Sequence, residues 1–181
     1  MESLRGKLLI APPKLVDPNF ARTVVLIAAH DDEGALGLVL NRPLEVPLAE
    51  ISPVLESLAE PGSTVHRGGP VAPDSAVVLA DFRDPSLAAL MIFGTVGFPG
   101  AECDLGELAA GARRARVFAG HSGWGPGQLD GELADEGWII GQLAPDELWQ
   151  PDCTQLWSTA LRRKGGSYAL LARMPEDVSV N

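Results

Sequence analysis

The chain has 181 residues, 46 % of them hydrophobic, which is enough for one domain with a real core and excludes a disordered chain. A net charge of −10 opposes non-specific nucleic-acid binding and docking on an anionic membrane, because both need clustered Lys and Arg. Cys103 and Cys153 form no Cys-x-x-Cys pair, which excludes a zinc knuckle or a thioredoxin-like motif. Two isolated thiols suit a reducing cytosol. The N-terminus lacks an apolar core long enough for a signal peptide, and no run approaches a membrane span. A cytoplasmic protein is therefore expected. No repeat or linker divides the chain, so one domain over residues 1–181 is expected, with 175–181 loosely held.

Lys7 to Ala11 is a short apolar strand stopped by Pro12-Pro13, and Asp17-Pro18 marks a turn. Thr23 to Ala29 and Ala35 to Leu40 are apolar at almost every position, the pattern of strands buried on both faces. His30-Asp31-Asp32-Glu33-Gly34 between them predicts a hairpin loop. His30 and its three acids are adjacent in a tight turn and rarely converge on one ion, so a solvated turn is expected and no metal. Asn41-Arg42-Pro43 closes the second strand. Leu48 to Leu58 is helical in pieces, broken by Pro53.

Val65-His66-Arg67 is strand-like and leads into Gly68-Gly69, where backbone could approach a ligand closely, with Arg42 and Arg67 as nearby positive charge. A plain turn with solvated arginines is the simpler account. Ala76 to Leu79 and Met91 to Phe93 are further strands, joined by a polar loop from Asp81 to Ser86. Asp104 and Glu107 form a capping box for a helix to about Ala112, with Leu105, Leu108, Ala109 and Ala112 inward. Arg113, Arg114 and Arg116 are expected to complement that helix's dipole.

The stretch from Arg116 to Ile140 organises the chain. It predicts a strand at Val117 to Ala119, a glycine loop through Gly120, Gly123, Gly125 and Gly127, and a helix from Gln128 to Glu136. Pro126 suits the first turn, and Gly137 suits a left-handed stop. Backbone N–H groups at such a helix start can hold an anion. The alternative is that the glycines only let the chain turn under Trp124. Three chemical motifs fail here. A serine-hydrolase elbow needs Gly at 124 and a His after Ser122, and neither is present. A phosphate loop needs Gly-Lys-Ser/Thr. A dinucleotide fingerprint needs Gly-x-Gly-x-x-Gly, whereas Gly123, Gly125 and Gly127 alternate.

Pro145 to Trp149 is a helical turn, and Asp152 to Gln155 reads as a capping box for a helix burying Leu156, Trp157, Ala160 and Leu161. Arg162-Arg163-Lys164 and Gly165-Gly166 end it, and Tyr168 to Ala172 reads as a last strand. Strands outnumber helices and the first two join by a hairpin. That favours a mixed α+β sheet that curls or packs against another layer.

Blocks at Leu4 to Pro13, Asp17 to Val24 and His30 to Pro43 resemble the bacterial YqgE/AlgH family, as do Gly68-Gly69-Pro70-Val71 and Gly120 to Glu132, with Trp138 and Trp157 after them. The resemblance implies a cytosolic bacterial protein. The fold it implies is α+β, a mostly antiparallel bifurcated sheet curled into a partly open pseudo-barrel with helices around it. It brings no established catalytic residues, and some family members are described as transcriptional regulators through an alginate connection. His121-Ser122 departs from the Tyr-Ala common in the family.

The expected function is a non-catalytic protein that binds a small molecule or protein partner and regulates indirectly. The candidate binding positions are Asn41 and Arg42, Gly68 and Gly69, and, in the glycine stretch, Gly120, Gly123, Trp124, Gly127, Gln128 and Glu132. No cofactor is expected. The alternatives are a hydrolase or transferase using Glu132, His121 or Cys103, and a DNA-binding regulator. The acidic balance and the lack of a helix-turn-helix pattern oppose the latter.

Overall fold

The computed structural model describes residues 2–175. The expected loose tail lies outside these residues beyond Pro175. Ten strands are present among them: β1 Lys7–Ile10, β2 Val24–Asp31, β3 Gly34–Val39, β4 Pro43–Pro47, β5 Thr64–Arg67, β6 Val71–Phe82, β7 Ala88–Phe93, β8 Val96–Pro99, β9 Ala112–Trp124 and β10 Ile139–Gln142. The helices are α1 Leu48–Ile51, α2 Pro53–Ser57, α3 Leu105–Gly111, α4 Gln128–Ala134, α5 Leu156–Lys164 and α6 Ser167–Leu171, with 3-10 turns at Pro85–Leu87 and Pro145–Trp149. The sheet runs β10-β1-β2-β3-β9-β6-β8-β7, and β5 and β4 branch from β9. It is mixed α+β: a mostly antiparallel sheet that forks and curls into a half-barrel with the helices packed around it. No described helix is long and apolar enough to cross a membrane.

The unbroken apolar run in β2 has a direct cause. Val24, Leu26 and Ala28 pack toward Trp157, Ala160 and Leu161 of α5, while Val25 and Ile27 pack toward Trp124, Leu129 and Trp138. Both faces are covered, so alternation is lost. A third cluster joins Leu48, Leu55, Leu58 and Leu108 from α1 to α3 with Ala80, Phe82 and Val117 of β6 and β9.

The sheet forks at β9. One edge pairs with β6 from Val71↔His121 to Phe82↔Ala112. The other edge pairs with β3 near Trp124 and, in parallel, with β5 at His66↔Phe118 and Arg67↔Ala119. Gly68 fills the crotch: its N–H donates to Ala119 O at 2.9 Å, and its carbonyl accepts from Val39 N–H at 2.8 Å. The Ser122 hydroxyl, fully buried, donates to the same carbonyl at 3.2 Å. Toward its N-terminal end, β9 has no strand on the β5 side among the described residues; there Ala115 N–H donates to Leu58 O at 2.8 Å.

Several expectations are corrected. The strand expected at Val117 to Ala119 runs on to Trp124, so Gly120 and Gly123 are strand residues and the turn is confined to Gly125–Gly127. Arg113, Arg114 and Arg116 stand in this strand, and α3 has no basic residue in its last turn. The capping box of α3 forms, but Leu105 is 43 % exposed because it points away from β9. At the end of α4 the left-handed residue is Glu136 (φ 53°), not Gly137. Gly137 instead donates its N–H to Glu132 O at 2.7 Å, and a Cβ there would lie 2.8 Å from that oxygen. Asp152 caps no helix: its carboxylate accepts from Thr154 N–H and Oγ in a local turn, and α5 begins after Gln155. Tyr168 to Ala172 is helix α6 rather than a strand, because the Gly165-Gly166 turn folds it back on α5. His30 is not solvated. Its Nδ1 accepts from Leu4 N–H at 3.2 Å and its Nε2 faces Asp130 Oδ1 at 3.4 Å, tying the hairpin to the N-terminus and α4.

Candidate functional site

The candidate binding residues chosen from sequence fall into two structural groups. Gly68, Gly69 and Gly120 meet backbone to backbone at the fork. A Cβ on Gly68 would lie 2.2 Å from Gly120 O, and one on Gly69 2.3 Å from the His121 carbonyl. The two glycine segments therefore touch each other. Asn41 sits beside them as a clamp: Oδ1 accepts from Val24 N–H and Nδ2 donates to Arg22 O, both at 2.9 Å. Arg42 donates to Ala21 O at 2.6 Å.

The second group is built on the turn into α4. The Glu132 carboxylate accepts from the indole N–H of Trp124 at 2.9 Å and of Trp138 at 2.8 Å on one oxygen. The other oxygen accepts from Gln128 Nε2 at 3.0 Å, and Gln128 Oε1 accepts from Gly125 N–H at 3.0 Å. Trp124 and Trp138 meet edge to face, their centroids 6.1 Å apart, and Phe20 packs on both. Gly127 supplies the left-handed residue before α4 (φ 69°), and Gly123 is exposed in β9. The i,i+4 spacing of Gln128 and Glu132 does put both on one side of the helix. No hydrogen bond or ion pair links Glu132, His121 and Cys103 among the described residues; the Cys103 thiol faces Asp104 O.

A well-formed concavity lies away from both groups. It is a groove of about 410 Å³ between the unpaired edge of β9, the end of α2 and the turn at Trp149. Arg113 to Val117 form one wall, and Leu48, Leu58 and Ala59 another. Thr64 and His66 of β5 and Trp149, Gln150 and Pro151 close it. None of the ten positions chosen from sequence lines it.

Its charged side chains are held by specific partners. Asp81 of β6 stands opposite Arg114 in the sheet register. Its carboxylate accepts from Arg113 at 3.0 Å, Arg114 at 3.3 Å and Thr95 Oγ1 at 2.7 Å. Burial pushes the Asp81 carboxyl up, but those three donors outweigh it and hold it below the usual range. The Arg114 guanidinium also lies over the Trp149 ring, 4.8 Å from its centroid. Arg116 is buried, donating to Leu148 O at 2.7 Å, Gln150 O at 2.9 Å and His66 Nε2 at 3.2 Å. His66 Nδ1 lies 3.1 Å from Thr64 O, so the ring proton sits on Nδ1 and Nε2 accepts. Behind it the Cys153 thiol approaches Nε2 at 3.5 Å.

Burial, with Arg116 alongside, pushes His66 down to about 4. Burial pushes the Cys153 thiol up, against the pull of Arg116. At neutral pH the pair is thus an uncharged imidazole and a protonated thiol. Between pH 6.5 and 4 the unfolded chain takes a proton at His66 that the folded chain resists, so stability falls as pH falls through that window. The loss at pH 4.5 is about 2–3 kcal/mol. His66→Gln keeps an acceptor for Arg116 and should lose that much less stability between pH 7 and pH 4.5 in urea unfolding. Equal losses in both proteins would show that His66 does not resist protonation.

The arginine-lined wall carried a weak sequence signal. Arg114 and Arg116 alternate with Ala115 and lead straight into Val117-Phe118-Ala119, which is a strand period rather than a helix end. His66 comes beside the Trp149 turn and Cys153 through Arg116 of β9, which bonds His66, Leu148 O and Gln150 O, a long-range meeting that no local pattern foretells.

The chain matches the AlgH-like family model over residues 8–169. A UPF0301 protein of Streptomyces coelicolor is 40 % identical over 188 residues, covering 100 % of this chain and 97 % of the relative. One from Mycobacterium marinum is 38 % identical over 97 % of this chain and 90 % of its own length. The solution structure of the AlgH protein from Pseudomonas aeruginosa superposes with a TM-score of 0.70 at 33 % identity, covering 96 % of this chain and 95 % of that one. A crystal structure from Corynebacterium diphtheriae shares the fold with a TM-score of 0.83 at 24 % identity, over 93 % and 91 % of the two chains.

Proposed function

The chain belongs to the AlgH-like family, and from that premise we propose a non-catalytic binding protein with an indirect regulatory role, its ligand held in the groove along the unpaired edge of β9. The observation that carries this reading is the groove itself: about 410 Å³, with arginines fixed along one wall and Leu48, Leu58 and Trp149 beside them, within the range of small-molecule sites. The neighbouring His66–Cys153 pair supports a binding role over a catalytic one. Nucleophilic thiol chemistry needs a thiolate, and this thiol is held protonated beside a neutral imidazole. In this reading Gly68, Gly69 and Gly120 frame the fork, while Trp124, Gln128 and Glu132 brace α4. The overall acidity favours regulation through a ligand or protein partner over direct contact with DNA.

Thermal unfolding against a panel of metabolites, nucleotides and metals tests the reading. A groove ligand at about 100 times its Kd adds roughly 2.7 kcal/mol, raising the midpoint by several degrees. The same compound should be recovered unchanged after incubation. Turnover of a bound compound would make the protein a hydrolase or transferase instead. A stabilising compound that still acts fully on Ala59→Phe, which fills the groove, would move the site elsewhere.

A further inference from the structure

The groove's charge is unbalanced in a way that names a ligand class. Arg113 and Arg114 share one carboxylate, Asp81, and their side chains remain 49 % and 43 % exposed. Among the described residues Arg114 donates only through Nε, leaving the four N–H bonds of its two terminal nitrogens unspent. Arg113 uses one terminal nitrogen, for Asp81 and Phe82 O. Arg116 adds a third guanidinium at the groove wall. Glu60 is the one carboxylate among the lining residues. A surplus of positive charge thus persists on the surface of a chain with a net charge of −10. The Asp81 brace and the Trp149 ring hold the Arg114 fork in place, so a ligand need not order it on binding. Beside the guanidiniums the wall turns apolar at Leu48, Leu58 and Trp149.

We propose that this groove binds a small organic oxyanion, a carboxylate or a phosphate monoester, whose charged end is taken by Arg113 and Arg114 and whose flat apolar body lies against Leu58 and Trp149. The proposal rests on the groove being the binding site. It adds the ligand's chemistry, because a planar guanidinium with free terminal N–H pairs matches two oxygens of a carboxylate or phosphate at once. Replacing the acid by its amide removes the charge and one acceptor while keeping the body.

The test is an NMR titration of the whole ¹⁵N-labelled protein with phenyl phosphate, phenylacetate, phenylacetamide and inorganic phosphate, read at the Trp149 indole and the Ala115 to Val117 amides. Saturable shifts are expected with both organic acids, at least tenfold weaker binding with phenylacetamide, and weaker binding with inorganic phosphate. Phenyl phosphate and phenylacetate separate the two sources of the oxyanion by their relative affinity. Arg114→Gln should weaken both acids at least tenfold, and Trp149→Leu should weaken the two organic acids several-fold more than it weakens inorganic phosphate. If Arg114→Gln unfolds, Arg113→Gln carries the same comparison. Phenylacetamide binding the groove as tightly as phenylacetate would overturn the oxyanion class and leave the groove as a site. Acids that shift only the Trp124 and Trp138 indoles, or that shift nothing, would overturn the proposal; the panel and Ala59→Phe then decide the groove separately.

Discussion

Gly69→Ala is expected to prevent folding. At Gly69 the backbone has φ of +154°, and a methyl group would lie 2.3 Å from the His121 carbonyl carbon and oxygen and 2.5 Å from Ser122 N. Those atoms are backbone of β9, which is already hydrogen-bonded to β6 and β3. Relief requires moving the strand, which breaks the bonds of Gly68 to Ala119 and Val39. Steric strain and lost ladder bonds together should exceed about 5 kcal/mol, a large part of a domain's whole stability. The expected result is insoluble protein or a largely unfolded chain at 25 °C by circular dichroism. Gly127→Ala is the control. Gly127 is also left-handed (φ 69°), but nothing lies within 4 Å of its missing Cβ. It should cost only about 1–2 kcal/mol. If Gly69→Ala unfolds at the same urea concentration as Gly127→Ala, the close approach at the fork is not what that glycine serves.

The second large effect belongs to Glu132→Ala. One carboxylate satisfies two indole N–H groups whose rings are each only 7 % exposed, and it also holds Gln128. Truncation leaves both donors without an acceptor in a place water reaches poorly. At about 1.5–3 kcal/mol for each bond to a charged group, the loss should be about 3–5 kcal/mol. For a chain of this length that lowers the unfolding midpoint by roughly 10 °C. Glu132→Gln keeps one acceptor oxygen and should recover more than half of the loss. The check is calorimetry of the three proteins without ligand. An unchanged midpoint in Glu132→Ala would free this carboxylate from a bracing role and return it to the candidates for ligand contact.

Gly69 and Glu132 are both residues that the sequence marks out for binding. The β2–β3 hairpin was legible because two apolar runs flank a polar turn ending in glycine. Helix α5 was legible because Leu156, Trp157, Ala160 and Leu161 repeat at helical spacing and Gly165-Gly166 stop it. The α+β class followed from the hairpin connection and the excess of strands. Strand β9 was not legible at full length. Glycine normally punctuates a strand, yet Gly120 sits inside β9 because the backbone of Gly69 and of Val71 and Pro73 in β6 crowds against it, leaving no room for a side chain. The arginines after α3 looked like charges at a helix end because their partner, Asp81, lies a strand away, and a cross-strand ion pair leaves no mark in local sequence. The same limit hid the groove, whose walls come from α2, β5, β9 and the turn at Trp149. Strand β8 was missed because Val96–Pro99 is four residues long and flanked by glycines.

The fork at β9 also dictates an order of assembly. β3, β5 and β6 all wait for one later strand: Gly37 pairs with Ser122, Arg67 with Ala119, and Val71 with His121. β1 waits longer still, since Leu8 pairs with Gly141. A growing chain can close the β2–β3 hairpin at once, but until Trp124 has been added it carries three strands with open edges. Such non-local pairing slows folding and leaves intermediates open to association with one another. A nascent chain ending before Ala112 should therefore be the species that chaperones hold, and release should follow soon after β9 clears the ribosome.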